Sequence, residues 1–232
     1  MENEYKTNLL KRFITSIGII VPIILVIMLQ NFWVFTVMIS IICCLAFYEW
    51  VTNNLINRYL FGFNLIFLFW FCSVYFVYDY SLMLDDALVQ FSEVFSSLSV
   101  YDIFLLIVLN TAIFDTVAYI VGSNFGKNYI TPRISPNKTF EGLVGGISGS
   151  AIFSLIICQV YNLNFWLVLI FIIGGIFAFI GDLNISFHKR QRGIKDTGSI
   201  LPGHGGILDR LDSHLIATPI LLILTLEVFI LL

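Results

Sequence analysis

Long apolar runs alternate along this chain with short polar interruptions, and the runs have the length of bilayer crossings. A helix needs about 20 apolar residues to cross about 30 Å of hydrocarbon. By that rule the pattern predicts seven spans, roughly 13–30, 32–49, 60–78, 102–122, 142–160, 164–180 and 214–232. The first two meet so tightly at Gln30-Asn31 that they must form a helical hairpin. The first run is long and lacks a small-x-small cleavage site, so an uncleaved span is expected rather than a signal peptide. Residues 81–100 are too polar to span and too apolar for plain loop, which predicts a short interfacial helix on the outer face. The expected fold class is all-α, a polytopic integral membrane helical bundle.

Composition agrees with that reading. Of the 232 residues, 59% are hydrophobic and 12% charged, against about 45–50% and about 25% in soluble domains. A single membrane domain over 1–232 is expected, with no soluble domain appended. The four cysteines (Cys43, Cys44, Cys72, Cys158) lie inside apolar runs and form no CxxC pair, so they read as small packing residues.

Charge placement says more than net charge. With the amino terminus inside, the inner segments are 1–12, 50–59, 123–141 and 182–213, and they hold all twelve Lys and Arg. A wrong span count would scatter them, so the positive-inside rule supports both the count and a cytoplasmic amino terminus. Anchoring alone explains Lys6, Lys11, Arg12 and Arg58. For Arg133, anchoring and substrate contact are equally open.

Two spans carry more than apolar bulk. Asp115 lies well inside the fourth, with Tyr119 and Gly122 on the same face, and an intramembrane acid usually faces a partner or a wet cavity. The fifth opens Gly142-Leu-Val-Gly145-Gly146-Ile-Ser-Gly149-Ser150, a small-residue stripe that lets helices approach closely. Pro22 and Pro219 fall inside spans one and seven.

The chemistry concentrates between spans six and seven. Gly181 to His214 holds five of the twelve cations, four acids (Asp182, Asp196, Asp209, Asp212) and all three histidines. If span six continues as helix into the cytosol, Asp182, Ser186, Lys189 and Arg190 share one face. Asp196 to Pro202 then reads as loop, and Gly203-His204-Gly205-Gly206 is too flexible for a helix interior. A new helix near Ile207 would present Asp209, Asp212 and Ser213 on one face. His204 is open between a turn residue and a functional one.

Two carboxylate clusters flanking a glycine-rich turn suit a hard cation such as Mg²⁺, which keeps waters and also binds phosphate oxygens. Zinc is disfavoured, with no cysteine near and no HxxxH spacing. The cations Lys189, Arg190, Lys195 and Arg210 match a polyphosphate. The loop 122–142 adds Lys127, Arg133, Ser135, Lys138, Thr139 and Glu141. Gly126-Lys127 has no strand before it and the wrong glycine spacing for a P-loop.

Ser186, Lys189-Arg190, Lys195-Asp196, His204-Gly205-Gly206 and Asp209-Arg210-Leu211-Asp212 together resemble the signature of phosphatidate cytidylyltransferases, the CDP-diacylglycerol synthases. Upstream, Asp115-Thr-Val-Ala-Tyr119, Gly126-Lys127 and Ser135-Pro-Asn-Lys-Thr-Phe-Glu-Gly142 also look like that family, with Asn137 where a second basic residue is expected. The resemblance covers about the carboxy-terminal half, so residues 101–232 are expected to be the catalytic half, with cytoplasmic loops 123–141 and 182–213. Residues 1–100 match only as generic spans.

The resemblance implies that CTP and phosphatidate give CDP-diacylglycerol and pyrophosphate, with Mg²⁺ required. It implies Asp182 and Asp209 as metal ligands with Asp212 and Ser186 close by, and Lys189, Arg190, Lys195 and Arg210 on phosphates. Ser135, Lys138, Thr139 and Lys127 are expected at the substrates, His204 in the site without acting as a base, and Asp115 orienting it from below. A homodimer is implied, and a second, monovalent cation such as K⁺ is left open. The expected place is the inner (cytoplasmic) membrane, with the active site on the cytoplasmic side and no nucleic-acid partner. Two rivals stand beside it. A CDP-alcohol phosphotransferase needs an Asp-Gly start, and the chain has no Asp-Gly dipeptide. A transporter using Asp115 predicts solute flux without consumption of CTP.

Overall fold

The computed structural model describes residue 18 and residues 20–55, 59–85, 98–201 and 205–231. Eight helices and one two-stranded hairpin make up the described chain: α1 (Ile20–Leu29), α2 (Phe32–Thr52), α3 (Tyr59–Asp85), α4 (Val100–Phe125), β1 (Tyr129–Thr131), β2 (Ser135–Thr139), α5 (Phe140–Tyr161), α6 (Trp166–Gln191), α7 (Leu208–Leu211) and α8 (His214–Leu231). Within α2 to α6, five stretches are long and apolar enough to cross a membrane: Phe32–Thr52, Leu60–Asp79, Val100–Phe125, Phe140–Tyr161 and Trp166–Gln191. Their outward faces carry large apolar side chains such as Leu60, Phe67, Ile156 and Leu169, all exposed. That much apolar surface suits lipid and would associate in water. This is a helical membrane protein.

Local chemistry sets the helix ends. Asn31, after Gln30 at φ 46°, accepts from Trp33 N at 3.0 Å and Val34 N at 3.1 Å, so α1 and α2 reverse within two residues. Ser99 and Asp102 form a reciprocal capping box at the start of α4. Thr139 caps α5 by accepting from Gly142 N at 3.1 Å.

Three features differ from the sequence expectation. Helix α3 runs on to Asp85, so the first part of the expected interfacial segment continues a span; residues 86–97 lie outside the described residues. The inner loop after α4 is not all irregular: β1 and β2 pair antiparallel, with Tyr129 opposite Thr139 and Thr131 opposite Ser135. Glu141 closes the hairpin base, its carboxylate accepting from the backbone of Lys127 and Asn128 and from the Asn128 amide. The third is that the helix begun at Leu208 lasts four residues, turns at Asp212-Ser213 and restarts as α8.

Small residues decide how α4, α5, α6 and the α7–α8 turn meet. A Cβ on Gly145 would stand 2.6 Å from Val121, on Gly149 2.9 Å from Val117, and on Gly146 2.7 Å from the Phe114 ring, so α5 rides directly on α4. Asn110 fastens α4 to α6, its amide donating to Phe171 O at 3.0 Å inside the core. At Gly181 a Cβ would lie 2.7 Å from Asp212 O. That contact lets the α7–α8 turn sit against α6 next to Asp182.

Candidate functional site

A cavity of about 290 Å³ opens where α4, β2, α5, α6 and the α7–α8 turn converge. Its polar wall is Asp115, Lys138, Asp182, Asp212 and Ser213, and its apolar wall includes Phe114, Leu143 and Phe179. Helix α6 passes the end of its apolar run without breaking, which carries Asp182, Ser186 and Lys189 on one face out of the bundle.

Asp182 accepts from Ser186 Oγ at 3.1 Å on one oxygen and pairs with Lys138 Nζ at 2.6 Å on the other. The Lys138 ammonium also lies 4.5 Å from the centre of the Phe179 ring, a cation–π contact. Ser213 and Asp115 share one wall of the cavity, which brings the α7–α8 turn against α4. Asp212 lies beside both acids. Burial first, then the charges of Asp182 and Asp115, push its carboxyl up to about 7 against the opposing pull of Lys189.

Asp209 has a different position. Its Oδ1 takes Lys189 Nζ at 2.9 Å, and its Oδ2 takes Thr197 N at 2.8 Å and Gly206 N at 3.0 Å. Burial opposes the charged form, but Lys189 and the two amides outweigh it and hold the carboxyl below its ordinary value. Asp209 does not line the cavity. The structure therefore does not bring Asp182 and Asp209 together on one opening, as the sequence reading expected. Lys189 links the two regions, since its Nζ is also 4.0 Å from Asp212 Oδ2.

The other expected residues divide clearly. Ser135, Asn137 and Thr139 line the cavity, Thr139 being also the α5 cap. Arg190 turns to the hairpin instead, donating to Ile134 O at 3.2 Å and to Ile194 O at 3.0 Å. Lys127, Lys195 and Arg210 are exposed and do not line the cavity. His204 lies outside the described residues.

A hard cation fits this donor set. Asp182 and Asp212 offer carboxylate oxygens to one cavity, and the charges of Asp182 and Asp115 add to burial in pushing the Asp212 carboxyl up. Among the described residues no three His, Cys, Asp or Glu side chains gather as a cage. Mg²⁺ needs none, being held typically by one or two carboxylates plus water and phosphate oxygens.

Sequence reasoning missed Glu49. It is 2% exposed near the end of α2, and it accepts from Ile207 N at 3.0 Å, Leu208 N at 2.9 Å and Thr197 Oγ1 at 2.9 Å. Asn53, one turn on, donates to Thr197 O at 2.5 Å. The available signal was an acid at the very end of an apolar run, which in span terms looked like a boundary.

Residues 99–228 match the cytidylyltransferase family. The chain belongs to that family. The matched stretch contains every residue named around the cavity and excludes Glu49. The chain is 50% identical over 116 residues to a phosphatidate cytidylyltransferase of Staphylococcus haemolyticus, covering 49% of this chain and 45% of that protein. It is 50% identical over 117 residues to the one of Staphylococcus saprophyticus and 47% over 116 residues to the one of Staphylococcus aureus, with the same coverages. The match thus spans about half the length of these curated relatives.

Proposed function

We propose that this cytidylyltransferase-family chain is a phosphatidate cytidylyltransferase, converting CTP and phosphatidate to CDP-diacylglycerol and pyrophosphate. The observation that carries the reading is one cavity with three acids, a lysine and an apolar wall at the end of the bundle. A charged headgroup on an apolar body needs both kinds of wall. The relatives' names give the reaction class.

In that reaction a lipid phosphate oxygen attacks the α-phosphorus of CTP in line. The new P–O bond forms as the bond from the α-phosphorus to the bridging oxygen breaks, and the electron pair leaves with pyrophosphate. The attacking oxygen is already ionised, so no general base is required. Two unit charges 4 Å apart repel by about 4 kcal/mol at an effective dielectric of about 20, and the site must cancel several such terms. Lys138 and Lys189 are assigned to phosphate charge, Asp182 and Asp212 to Mg²⁺, and Asp115 with Ser213 to fixing the turn that carries Asp212. Bound there, Mg²⁺ would neutralise charge on the triphosphate and its leaving group. Asp209 is assigned to holding Lys189 rather than to the metal.

The membrane topology completes the proposal. The apolar run 13–30, which includes α1, and helix α8 add to the five long helices to give seven crossings, with the amino terminus inside. All twelve Lys and Arg then fall on the cytoplasmic side, where CTP is, in one membrane domain of a cell membrane. The test is direct: the purified chain in detergent, given Mg²⁺, phosphatidate and labelled CTP, yields labelled CDP-diacylglycerol. Absence of product under conditions where the Staphylococcus aureus relative is active would overturn the assignment.

A further inference from the structure

We infer that Glu49, on a span outside the family-matched stretch, is a positioning residue that sets the Lys189 ammonium beside Asp212 of the cavity wall. The inference rests on the proposed function only for its kinetic consequence. Glu49 takes three donors from one segment: Thr197 Oγ1, Ile207 N and Leu208 N. The fit is close on every side. A Cβ on Gly198 would fall 2.7 Å from Glu49 Oε1, and one on Gly206 would collide with both Glu49 Oε2 and Thr197 Oγ1. Asn53 adds a bond to the Thr197 carbonyl. So the end of α2 grips both arms of the segment between α6 and α7.

The same segment shapes the Asp209 site. Thr197 gives its hydroxyl to Glu49 and its backbone N–H to Asp209, and Gly206 N also goes to Asp209. With Oδ2 fixed by those two amides, Asp209 presents Oδ1 to Lys189. Lys189 in turn stands 4.0 Å from Asp212, which lines the cavity. Glu49 therefore acts on the cavity through Thr197, Asp209 and Lys189, without touching it. A buried carboxylate with this many backbone donors leaves each of them unpaired when removed, so the geometry should relax as a unit.

Glu49→Gln is the least disruptive test, since it keeps size and one carbonyl oxygen. Hydrogen exchange of the full chain in detergent should show the amides of Ile207 and Leu208 exchanging at least tenfold faster, with α4 and α5 unchanged. Unchanged protection at both amides overturns the tether, whether or not the chain turns over CTP. Kinetics decide the positioning. At a temperature where the variant is fully folded, kcat should fall about 10–100-fold, and in a Lys189→Met background Glu49→Gln should cost less than threefold more. Equal fold losses in both backgrounds, or normal kcat beside raised exchange, mean that Glu49 only stabilises the fold and overturn the inference. An inactive wild-type chain would sink the cytidylyltransferase assignment and the positioning claim with it, while the exchange result still judges the tether.

Discussion

Gly146→Ala tests the packing that places the cavity. The Phe114 ring is 1% exposed and is closed in by α5 on one side and α6 on another. On the α5 side a Cβ at Gly146 would meet its edge at 2.7 Å, and on the α6 side a Cβ at Gly175 would meet it at 2.7 Å. Carbon atoms rest about 3.5–4.0 Å apart, so the added methyl is about 1 Å too close. Overpacking of this kind costs about 1–3 kcal/mol, and alanine recovers about 0.5–1 kcal/mol of helix preference over glycine. The steric term is the larger, leaving a net loss of about 0–2.5 kcal/mol, centred near 1. That centre is a fall of about 2–4 °C in Tm for a chain of this length. Because Phe114 precedes Asp115 and lines the cavity, turnover should fall at temperatures where the variant remains folded. The assay is thermal unfolding in detergent, repeated in a Phe114→Leu background. There the ring edge is gone and the same substitution should be neutral or stabilising. A Gly146→Ala protein that melts higher than wild type, with Phe114 intact, would refute the reasoning.

Three further substitutions separate chemistry from structure. Asp182→Asn should lower turnover at least a hundredfold while costing about 1 kcal/mol or less, because its pair with Lys138 is partly exposed; a rate within threefold of wild type removes Asp182 from the site. Asp209→Asn should change acid stability instead. Its folded pKa lies below the unfolded value, so its contribution is fully present above about pH 4 and is lost as pH falls through the folded value. The variant should therefore show a flatter fall of Tm between pH 6 and 3, and an unaltered slope contradicts the Lys189 and backbone contacts as its cause. Thr139→Val removes the α5 cap at a cost of about 1 kcal/mol; no change in Tm would show the Gly142 amide finding another acceptor.

Much of the fold was legible because a membrane helix declares itself by composition over about 20 residues. The tight α1–α2 reversal, the glycine face of α5 and the passage of α6 beyond its apolar run were all local patterns. The hairpin at 129–139 was not, since its strands are three and five residues long and include Pro136. It is held by Glu141 from the next helix and by Arg190 from α6, contacts 13 or more residues away in sequence. The break at Asp212-Ser213 was equally hidden. Spacing at 209, 212 and 213 is that of one helical face, and the turn there packs against α6 through an approach that Gly181 allows.

Asp182 and Asp209 show where sequence patterns stop informing about chemistry. Each is an acid on a helix of the polar stretch with cations further along the chain, and residue type alone does not separate them. What separates them is which backbone amides lie within reach. Asp209 sits opposite a glycine-rich segment whose free N–H groups turn inward, and with Lys189 they fill both of its oxygens. Asp182 sits mid-helix, where neighbouring amides are already committed to helical bonds, so only side chains can reach it: Ser186 and Lys138. A side-chain partner such as Lys138 can swing aside for a ligand at the cost of one ion pair. A carboxylate holding two backbone amides cannot be released without moving the segment that carries them. The division of labour proposed for the two acids rests on that difference in partners, and Glu49, which grips the same segment from α2, belongs with Asp209.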